Sequence, residues 1–206
     1  MLDLVTLEGR RVLLEPLSLE HIPDLVQAAN QSRETYTFTN VPADAASMGR
    51  YVETALAGRD SGIMLPFATI DRKAERAVGS TRFLNVEFWT WPVGNPQQRG
   101  KNLPDVVEIG ATWLASGAQR TGINTEAKLL MLTLAFETWL VHRVSLQTDA
   151  RNERSRIAIE RLGAQLDGVI RAARVAFDGA VRDSAVFSIL DSEWPAVKVQ
   201  LAALLR

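Results

Sequence analysis

The chain has 206 residues, of which 47% are hydrophobic and 23% are charged. No charge block or Gly/Ser-rich linker divides it, so we expect a single domain over residues 1–206 with one sizeable core. The formal net charge of −1 argues against a protein that binds nucleic acids, because such binding relies on many Lys and Arg side chains. The absence of cysteine excludes disulfides, a thiolate nucleophile and any cysteine-ligated metal.

Nothing in the sequence indicates a membrane protein or a metal site. The first ten residues lack the basic segment and apolar core of a secretory signal, and the most apolar stretch, 129–136, is far too short to span a bilayer. The two histidines, His21 and His142, have no carboxylates at metal-ligand spacing and are interpreted as structural. We therefore expect a cytoplasmic protein without a bound metal and without nucleic-acid or membrane partners.

The first half of the chain predicts a strand, two helices and a β-hairpin. Ser18 is placed to cap the first helix, and Gly58 to end the second. A charged turn at 71–76 separates the two hairpin strands. The predicted bounds are 10–15 for the first strand, 17–30 and about 44–56 for the helices, and 63–70 and 77–88 for the hairpin.

The second half begins with a loop rich in Pro and Gly at 89–104, followed by a strand–helix–strand unit. Its helix is so apolar that it must be buried on most sides. A short helix, a hairpin that turns at Asp178-Gly179 and a last helix complete the order. The predicted bounds are 105–114, 125–140 and 142–148 for the strand–helix–strand unit, 152–162 for the short helix, and 165–177 and 181–190 for the hairpin.

The segment 118–127 joins a strand directly to the buried helix. A helix start presents unpaired N–H groups and the positive end of the helix dipole, and Gly122 allows close approach of the backbone, so a phosphate group fits there. The alternative is an ordinary loop in which Asn124 or Thr125 caps the helix. The spacing does not decide between the two, and it matches neither the P-loop nor the three-glycine dinucleotide-binding pattern.

The pattern Gln119-x-x-Gly122-x-Asn124 resembles the Gln/Arg-x-x-Gly-x-Gly/Ala motif of the GNAT superfamily of N-acetyltransferases, and the predicted order of elements resembles that fold over nearly the whole chain. The departure from the motif is Asn124, where the family has Gly or Ala. Further segments resemble the ribosomal-protein-alanine N-acetyltransferase (RimJ/RimL-type) branch, at 7–17, 108–114, 152–155 and 160–163. The resemblance implies an α/β (α+β) fold with a mixed sheet of about seven strands and helices on both faces.

The resemblance also implies that acetyl-CoA, or another acyl-CoA, is the co-substrate. Its pyrophosphate would bind the loop, and its pantetheine arm would lie between two diverging strands and bind unpaired backbone amides. The amide of Trp113 or Leu114 would also donate to the developing oxyanion. The implied cofactor-binding residues are Thr112, Trp113, Leu114, Ala115, Gln119, Arg120, Thr121, Gly122, Ile123, Asn124, Thr125, Asn152 and Ser155.

Transfer of an acyl group from a thioester to an amine needs a base for the amine proton and an acid for the leaving thiolate. By resemblance, Glu108 is the candidate base, directly or through water; the alternative is a glutamate that pairs with an arginine or is simply solvated. The family's usual acid is a Tyr in the short helix, but Tyr36 and Tyr51 are both far upstream. Ser155 resembles the serine that serves in the RimJ/RimL-type branch; the alternative is that Asn152 only caps the helix and Ser155 lies on the surface.

The acceptor is the least determined part of the site. The aromatic residues Phe88, Trp89 and Trp91 are candidates to line an acceptor pocket, or they pack over the edge of the core. Three acidic residues near the second helix either attract a cationic amine or form a solvated face. They are Asp44, Glu53 and Asp60. In the last helix, the stripe Val197, Leu201 and Leu204 is a candidate homodimer contact.

We therefore expect transfer of an acyl group, with acetyl preferred, to a primary amine, with a protein N-terminus among the candidate acceptors. Three alternatives stay open. The donor could carry a different acyl group, as succinyl-CoA does, the protein could be a non-catalytic sensor of acyl-CoA, or it could be a scaffold that binds neither substrate. The fold does not choose among them, because function resides in the site that a fold carries.

Overall fold

The computed structural model describes residues 2–100 and 102–206, and a mixed sheet of eight strands forms its centre. The strands are β1 Leu7–Glu8, β2 Val12–Pro16, β3 Leu65–Asp71, β4 Arg76–Glu87, β5 Val106–Leu114, β6 Arg143–Asp149, β7 Gln165–Val175 and β8 Val181–Leu190. Their order in the sheet is β1-β2-β3-β4-β5-β6-β8-β7, and only β5 and β6 run parallel to each other. The predicted mixed sheet is confirmed, with the two-residue β1 at its edge as an eighth strand.

Five α-helices in the described residues cover both faces of the sheet, as predicted. They are α1 Ile22–Ala29, α2 Ala45–Asp60, α3 Ile123–Thr133, α4 Glu153–Glu160 and α5 Trp194–Leu204. Tyr51 of α2 lies against Arg82 of β4, whereas Lys128 of α3 bonds to the adjacent Thr81, whose side chain points to the opposite face. None of the helices described combines the length and apolar character needed to cross a membrane.

Two helix starts differ from the predicted ones. Ser18 precedes a 3-10 turn at Leu19–His21, and α1 follows that turn. Helix α3 begins at Ile123, two residues before the predicted start, because Gly122 adopts a φ of 86° and serves as its N-cap. The alternative in which Asn124 or Thr125 caps this helix is therefore wrong.

Strand β5 has two unequal edges. It pairs with β6 only through Val106–Arg143, Val107–Val144 and Glu108–Ser145. Beyond these pairs, β6 continues to Asp149 against β8, whereas β5 continues to Leu114 against β4. The two strands therefore separate after Glu108 and Ser145, which leaves one edge of β5 without a neighbouring strand.

A buried carboxylate ties the first turn of α3 to the turn between β1 and β2. Glu126 accepts hydrogen bonds from the backbone amides of Arg10, Arg11 and Val12, at 3.1, 2.6 and 2.9 Å. Three N–H donors replace much of the hydration that the charge loses on burial. Gly9 leaves room for this arrangement, because a Cβ at that position would lie 2.7 Å from Glu126 Cδ.

The last helix packs into the core. Val197 and Leu201 are buried, and of the predicted stripe only Leu204 is exposed. The prediction that this stripe forms a homodimer contact is therefore wrong, because the protein's own core covers its two main side chains.

The core also contains a lysine between α3 and the sheet. Lys128 is buried, and its Nζ donates to the hydroxyls of Thr81 and Thr112 at 2.8 and 2.7 Å. Burial lowers the pKa of Lys128 from 10.5 to about 7, because the ammonium form loses its hydration. The neutral amine therefore forms readily at neutral pH.

We expect Gly9→Ala to lower the free energy of unfolding by about 1–3 kcal/mol, because the added methyl group displaces the Glu126 carboxylate from its amide donors. Urea denaturation followed by circular dichroism measures this change. Gly49→Ala is the matched control, since a Cβ there meets nothing within 4 Å and should raise helix stability by up to about 1 kcal/mol. Equal effects of the two substitutions would contradict the role given to Glu126.

We expect Lys128→Met to raise the free energy of unfolding by about 1–4 kcal/mol at pH 7 and below. In that range Lys128 of the wild type carries its proton in both the folded and the unfolded chain, so the folded state bears the cost of a buried charge. Between pH 7 and 10.5 the unfolded wild type binds a proton that the folded state does not, so wild-type stability rises with pH and the advantage of the variant shrinks. Urea denaturation at pH 6 to 9 measures it, with the exposed Lys198→Met as control. An advantage that stays constant over this range would refute the assignment.

Candidate active site

The open edge of β5 offers only some of the backbone donors predicted there. The Ala115 amide donates to the Val78 carbonyl at 2.7 Å, so the prediction that it is unpaired is wrong. Trp113 also faces β4, since its carbonyl oxygen lies against Gly79. Successive residues of a strand alternate in direction. Leu114, between these two, therefore directs its amide toward the open edge.

Two side chains hold this end of β5 from the open side. The Tyr36 hydroxyl and the Gln119 side-chain amide both donate to the Leu114 carbonyl, at 3.1 and 2.9 Å. On the face of the sheet that α3 covers, the Thr112 hydroxyl accepts a hydrogen bond from Lys128. Tyr36 is far upstream in the sequence, but folding brings it to Leu114 across 78 positions, which no local pattern in the sequence reveals.

Glu108 lies at the point where β5 and β6 separate. Its side chain is buried, and Oε2 accepts hydrogen bonds from Asn85 Nδ2 at 2.8 Å and from Gln147 Nε2 at 2.7 Å. Oε1 faces Gly110, where an added Cβ would lie 3.1 Å away. Neither alternative for this residue, a solvated glutamate or one paired with an arginine, describes it. Two neutral amides hold the carboxylate and leave Oε1 without a hydrogen-bond donor among the residues described.

The loop 119–125 contains two residues with left-handed backbone angles. Arg120 has a φ of 61° and Gly122 a φ of 86°. In such turns the backbone amides converge on one side and form a concave donor site for an anion. Because Gly122 caps α3, the amides of the next three residues lie in the first helical turn, where the helix itself offers them no acceptor. The loop thus presents several N–H groups and no carboxylate.

Contacts beneath the loop fix its shape. The Thr121 hydroxyl donates to the Ala118 carbonyl at 2.7 Å, and Arg11 Nη1 donates to the Thr121 carbonyl at 3.2 Å. A Cβ on Gly122 would lie 2.7 Å from that same Nη1. Asn124, the departure from the family motif, lies within the regular first turn of α3.

The start of α4 lies beside the loop, because Arg154 donates to Gln119 Oε1 at 2.8 Å. Asn152 Oδ1 accepts from the Ser155 amide at 3.1 Å, so its capping role is confirmed. Ser155 is half-buried, and its hydroxyl forms no hydrogen bond to another residue that the structure describes. The side-chain amide of Asn152 and the hydroxyl of Ser155 are therefore both available to a ligand.

The aromatic residues of the long loop pack over the far end of β5. The Trp89 ring stacks on His142 with centroids 5.6 Å apart, and both the Trp89 amide and Trp91 Nε1 donate to Asp105 at 2.7 Å. Asp105 precedes β5, so this cluster lies at the opposite end of the strand from Leu114. These contacts hold the aromatic residues over the edge of the core, and Phe88, Trp89 and Trp91 also line a cavity of about 560 Å³ at this end of β5. Phe88 is half-exposed beside the cluster.

A cavity of about 550 Å³ lies between α2 and β4, and no sequence pattern predicted it. Three arginines line it, Arg33, Arg50 and Arg82, together with Tyr51 and no acidic residue. The acidic residues expected near this wall lie elsewhere or have other contacts. Asp44 caps α2 by accepting from the Ser47 amide at 2.9 Å, Asp60 pairs with Arg59, and Glu53 is exposed.

The donor set suits a co-substrate that carries phosphate groups and a peptide-like arm. The loop offers convergent amides, the exposed Arg120 adds a positive charge, and the open edge of β5 offers the kind of pairing that an amide-containing chain can use. Across residues 2–100 and 102–206, no group of three or more His, Cys, Asp or Glu side chains is arranged to hold a metal ion.

Comparison with known proteins supports this geometry. Residues 11–165 match the model of the acetyltransferase (GNAT) domain. A solved GCN5-related N-acetyltransferase from Brucella melitensis is 30% identical with a TM-score of 0.82, and the alignment covers 100% of this chain and 87% of that one. RimJ of Mycobacterium smegmatis, solved in complex with CoA-disulfide, shares the fold at 21% identity and a TM-score of 0.78, over 97% of this chain and 94% of its own.

Among curated proteins, YdaF of Bacillus subtilis (strain 168), provisionally named as a ribosomal N-acetyltransferase, is 34% identical over 91 residues. That match spans 44% of this chain and 49% of YdaF, about half the length of the relative. The family model, in contrast, covers most of the chain, including the divergent strands, the loop and the start of α4. The chain therefore belongs to the acetyltransferase (GNAT) domain family.

Proposed function

We propose that the protein transfers an acetyl group from acetyl-CoA to a primary amine, by direct attack of the amine in a ternary complex. The observation that carries the proposal is the separation of β5 from β6 just beyond Glu108, which opens a strand edge between an amide-lined loop and a buried carboxylate. Family membership supports it. The lack of cysteine agrees with direct attack, since the chain has no thiol to form an acyl-enzyme.

Three parts of the structure bind different portions of the co-substrate. The loop 119–125 and the first turn of α3 bind the pyrophosphate, favoured by the positive end of the helix dipole. Leu114 and Thr112, on the open edge of β5, bind the pantetheine arm as an added strand would. Asn152 donates its side-chain amide to the arm from the start of α4.

Acetyl-CoA supplies the acyl group as a thioester, and the products are an amide and CoA. Glu108 takes up the proton that the amine loses as its nitrogen forms the new C–N bond, through Oε1 or through one water. Leu114 lies six residues along β5 from Glu108, roughly 15–20 Å away, so its amide binds the pantetheine arm and not the oxygen of the reacting carbonyl group. Ser155 donates its hydroxyl proton to the sulfur as the C–S bond breaks, and it regains a proton from solvent while Glu108 releases one.

We further propose a protein N-terminal amine as the acceptor, in the cytoplasm. The similarity to YdaF, which is named as a ribosomal N-acetyltransferase, supports this choice. The cavity between α2 and β4 is within the size range of ligand sites in proteins, so it has room for the first residues of a peptide. A homodimer remains a proposal without a defined contact surface.

We expect Glu108→Gln to lower kcat/KM about 10²- to 10⁴-fold, because the amide cannot accept the amine proton, while the Kd for acetyl-CoA stays within about twofold. Rates of CoA release with an N-terminal peptide library, together with calorimetry, measure both effects. Glu53→Gln, at an exposed site on α2, is the control. Full activity in Glu108→Gln would exclude this residue as the base, and an inactive wild type that still binds acetyl-CoA would favour a sensor.

Titration calorimetry with acetyl-CoA, succinyl-CoA and free CoA tests the loop without knowledge of the acceptor. We expect micromolar binding by the wild type and at least about tenfold weaker binding by Gly122→Val, because a side chain there strains the left-handed backbone and meets Arg11. Gly62→Val is the matched control, since Gly62 also has positive φ but lies in open space at the end of α2. Failure of all three compounds to bind the wild type would sink the proposed function.

A further inference from the structure

Arg82 of β4 is a buried cation that the proposed reaction does not use. The residue is 6% exposed, and its Nε and Nη2 atoms are buried with no hydrogen-bond acceptor among the residues described. Nη1 makes only a 3.8 Å contact with the sulfur of Met64. Burial of a guanidinium without an acceptor is costly, because its lost hydration is not replaced. The stacking of Arg82 on Tyr51, with Cζ 4.7 Å from the ring centroid, offsets only part of that cost.

Other arginines in the structure do not share this condition. Arg143, Arg156 and Arg182 each lack an acceptor at Nε alone, and each is partly exposed. Arg33 lines the same cavity as Arg82, but it donates to the backbone carbonyls of three residues and so serves the fold. Among these arginines, Arg82 alone is buried with two nitrogen atoms that lack an acceptor in the described residues, so a bound molecule could supply the acceptor.

The position of Arg82 relates it to the proposed base. Strand β4 pairs Arg82 with Gly110 and Leu84 with Glu108. Residues that lie directly opposite each other share a face of the sheet, and diagonal neighbours are roughly 7–8 Å apart, so Arg82 and Glu108 face the same side at that spacing. The Glu108 carboxylate is engaged by Asn85 and Gln147 instead of by Arg82. A substrate next to the base thus also lies next to an unpaired cation.

We propose that Arg82 binds a carboxylate carried by one of the two substrates, an inference that rests on the acyl transfer proposed above. The two nitrogens without acceptors, Nε and Nη2, form one edge of the guanidinium and fit the two oxygens of a carboxylate. The carboxylate belongs either to a dicarboxylic acyl group, such as succinyl, or to an acidic side chain next to the acceptor amine. Both sources place it a few bonds from the reacting carbon, as the spacing between Arg82 and Glu108 requires.

The donor source is tested by calorimetry with acetyl-CoA and succinyl-CoA. If the acyl group carries the carboxylate, the wild type binds succinyl-CoA at least about tenfold more tightly than acetyl-CoA, and Arg82→Gln removes the difference without weakening acetyl-CoA. Arg82→Lys, which keeps the charge but loses the bidentate edge, restores part of the preference.

The acceptor source is tested by the rate of acetyl transfer from acetyl-CoA to the amidated peptides Ala-Asp-Ala and Ala-Asn-Ala, and to the matching Glu and Gln pair. If the acceptor carries the carboxylate, the wild type prefers the acidic peptides at least about tenfold in kcat/KM, and Arg82→Gln abolishes that preference. The matched control is Arg50→Gln, which removes an exposed positive charge from the same cavity and should change the ratio less than about twofold.

A preference in either test that depends on Arg82 and not on Arg50 supports the proposal and names the source. Equal Kd values for acetyl-CoA and succinyl-CoA, together with no Arg82-dependent preference for acidic peptides, would overturn the proposal. The melting temperature of Arg82→Gln should equal or exceed that of the wild type, because the substitution removes an unpaired buried charge. A clearly lower melting temperature with unchanged specificity would show that Arg82 stabilises the fold, and this result would also overturn the proposal. A wild type that binds no acyl-CoA would instead reject the proposed function itself.

Discussion

The functional geometry depends on one constraint on hydrogen bonding in the sheet. A strand can pair along both edges, but β5 pairs with β6 over three residues and with β4 along most of its length. The parallel pairs hold the two strands together at Glu108, and beyond that residue their continuation against different neighbours forces them apart. The gap opens beside the Leu114 amide at its wide end and beside the Glu108 carboxylate at its narrow end, and the proposed roles of these two groups follow from it.

A gap of this kind keeps its shape only if its walls are fixed from outside. At the wide end, Gln119 bonds to the Leu114 carbonyl and to Arg154, and thus ties the loop to both β5 and α4. Beneath the loop, the three amides that bind Glu126 fix the start of α3 to the edge of the sheet. The glutamine of the family motif therefore holds the loop in place through its side chain, whereas the donors of the proposed anion site are backbone amides. Asn124, the departure from the family motif, lies in the regular first turn of α3 and contributes no side chain to the turn at 119–122.

Much of the fold could be predicted because the signals were local. The buried helix, the hairpins and the short helix capped by Asn152 follow from periodicity, turn residues and a cap. The start of α3 was misplaced because a left-handed Gly122 can serve as N-cap without a side chain, and that use of glycine looks the same in the sequence as a flexible loop. The stripe at Val197 and Leu201 was misread because periodicity marks an apolar face but not what covers it.

The parts of the site that escaped prediction are contacts between distant segments. The support of Glu108 by Asn85 and Gln147 depends on the register of three strands, and the place of Tyr36 depends on how the 3-10 turn at Arg33–Tyr36 packs on β5. No local sequence pattern around these residues indicates that they belong to the site. The sequence motif identified the loop that is proposed to bind the pyrophosphate, but the contacts around Glu108 and Leu114 are made by pairs of residues that only the folded chain brings together.

Three buried ionisable side chains differ in how the loss of their hydration is compensated. The Glu126 carboxylate accepts hydrogen bonds from three backbone amides, and Lys128 can lose its charge because burial lowers its pKa to about 7. Arg82 has neither solution, since its neighbours offer no acceptor and a guanidinium is not deprotonated in proteins. Glu126 and Lys128 are accommodated within the chain, and the acceptor that we propose for Arg82 comes from a substrate bound beside Glu108. On this reasoning, the selectivity of the protein comes from a cation beside the reacting carbon, and the acidic residues around α2 have no part in it.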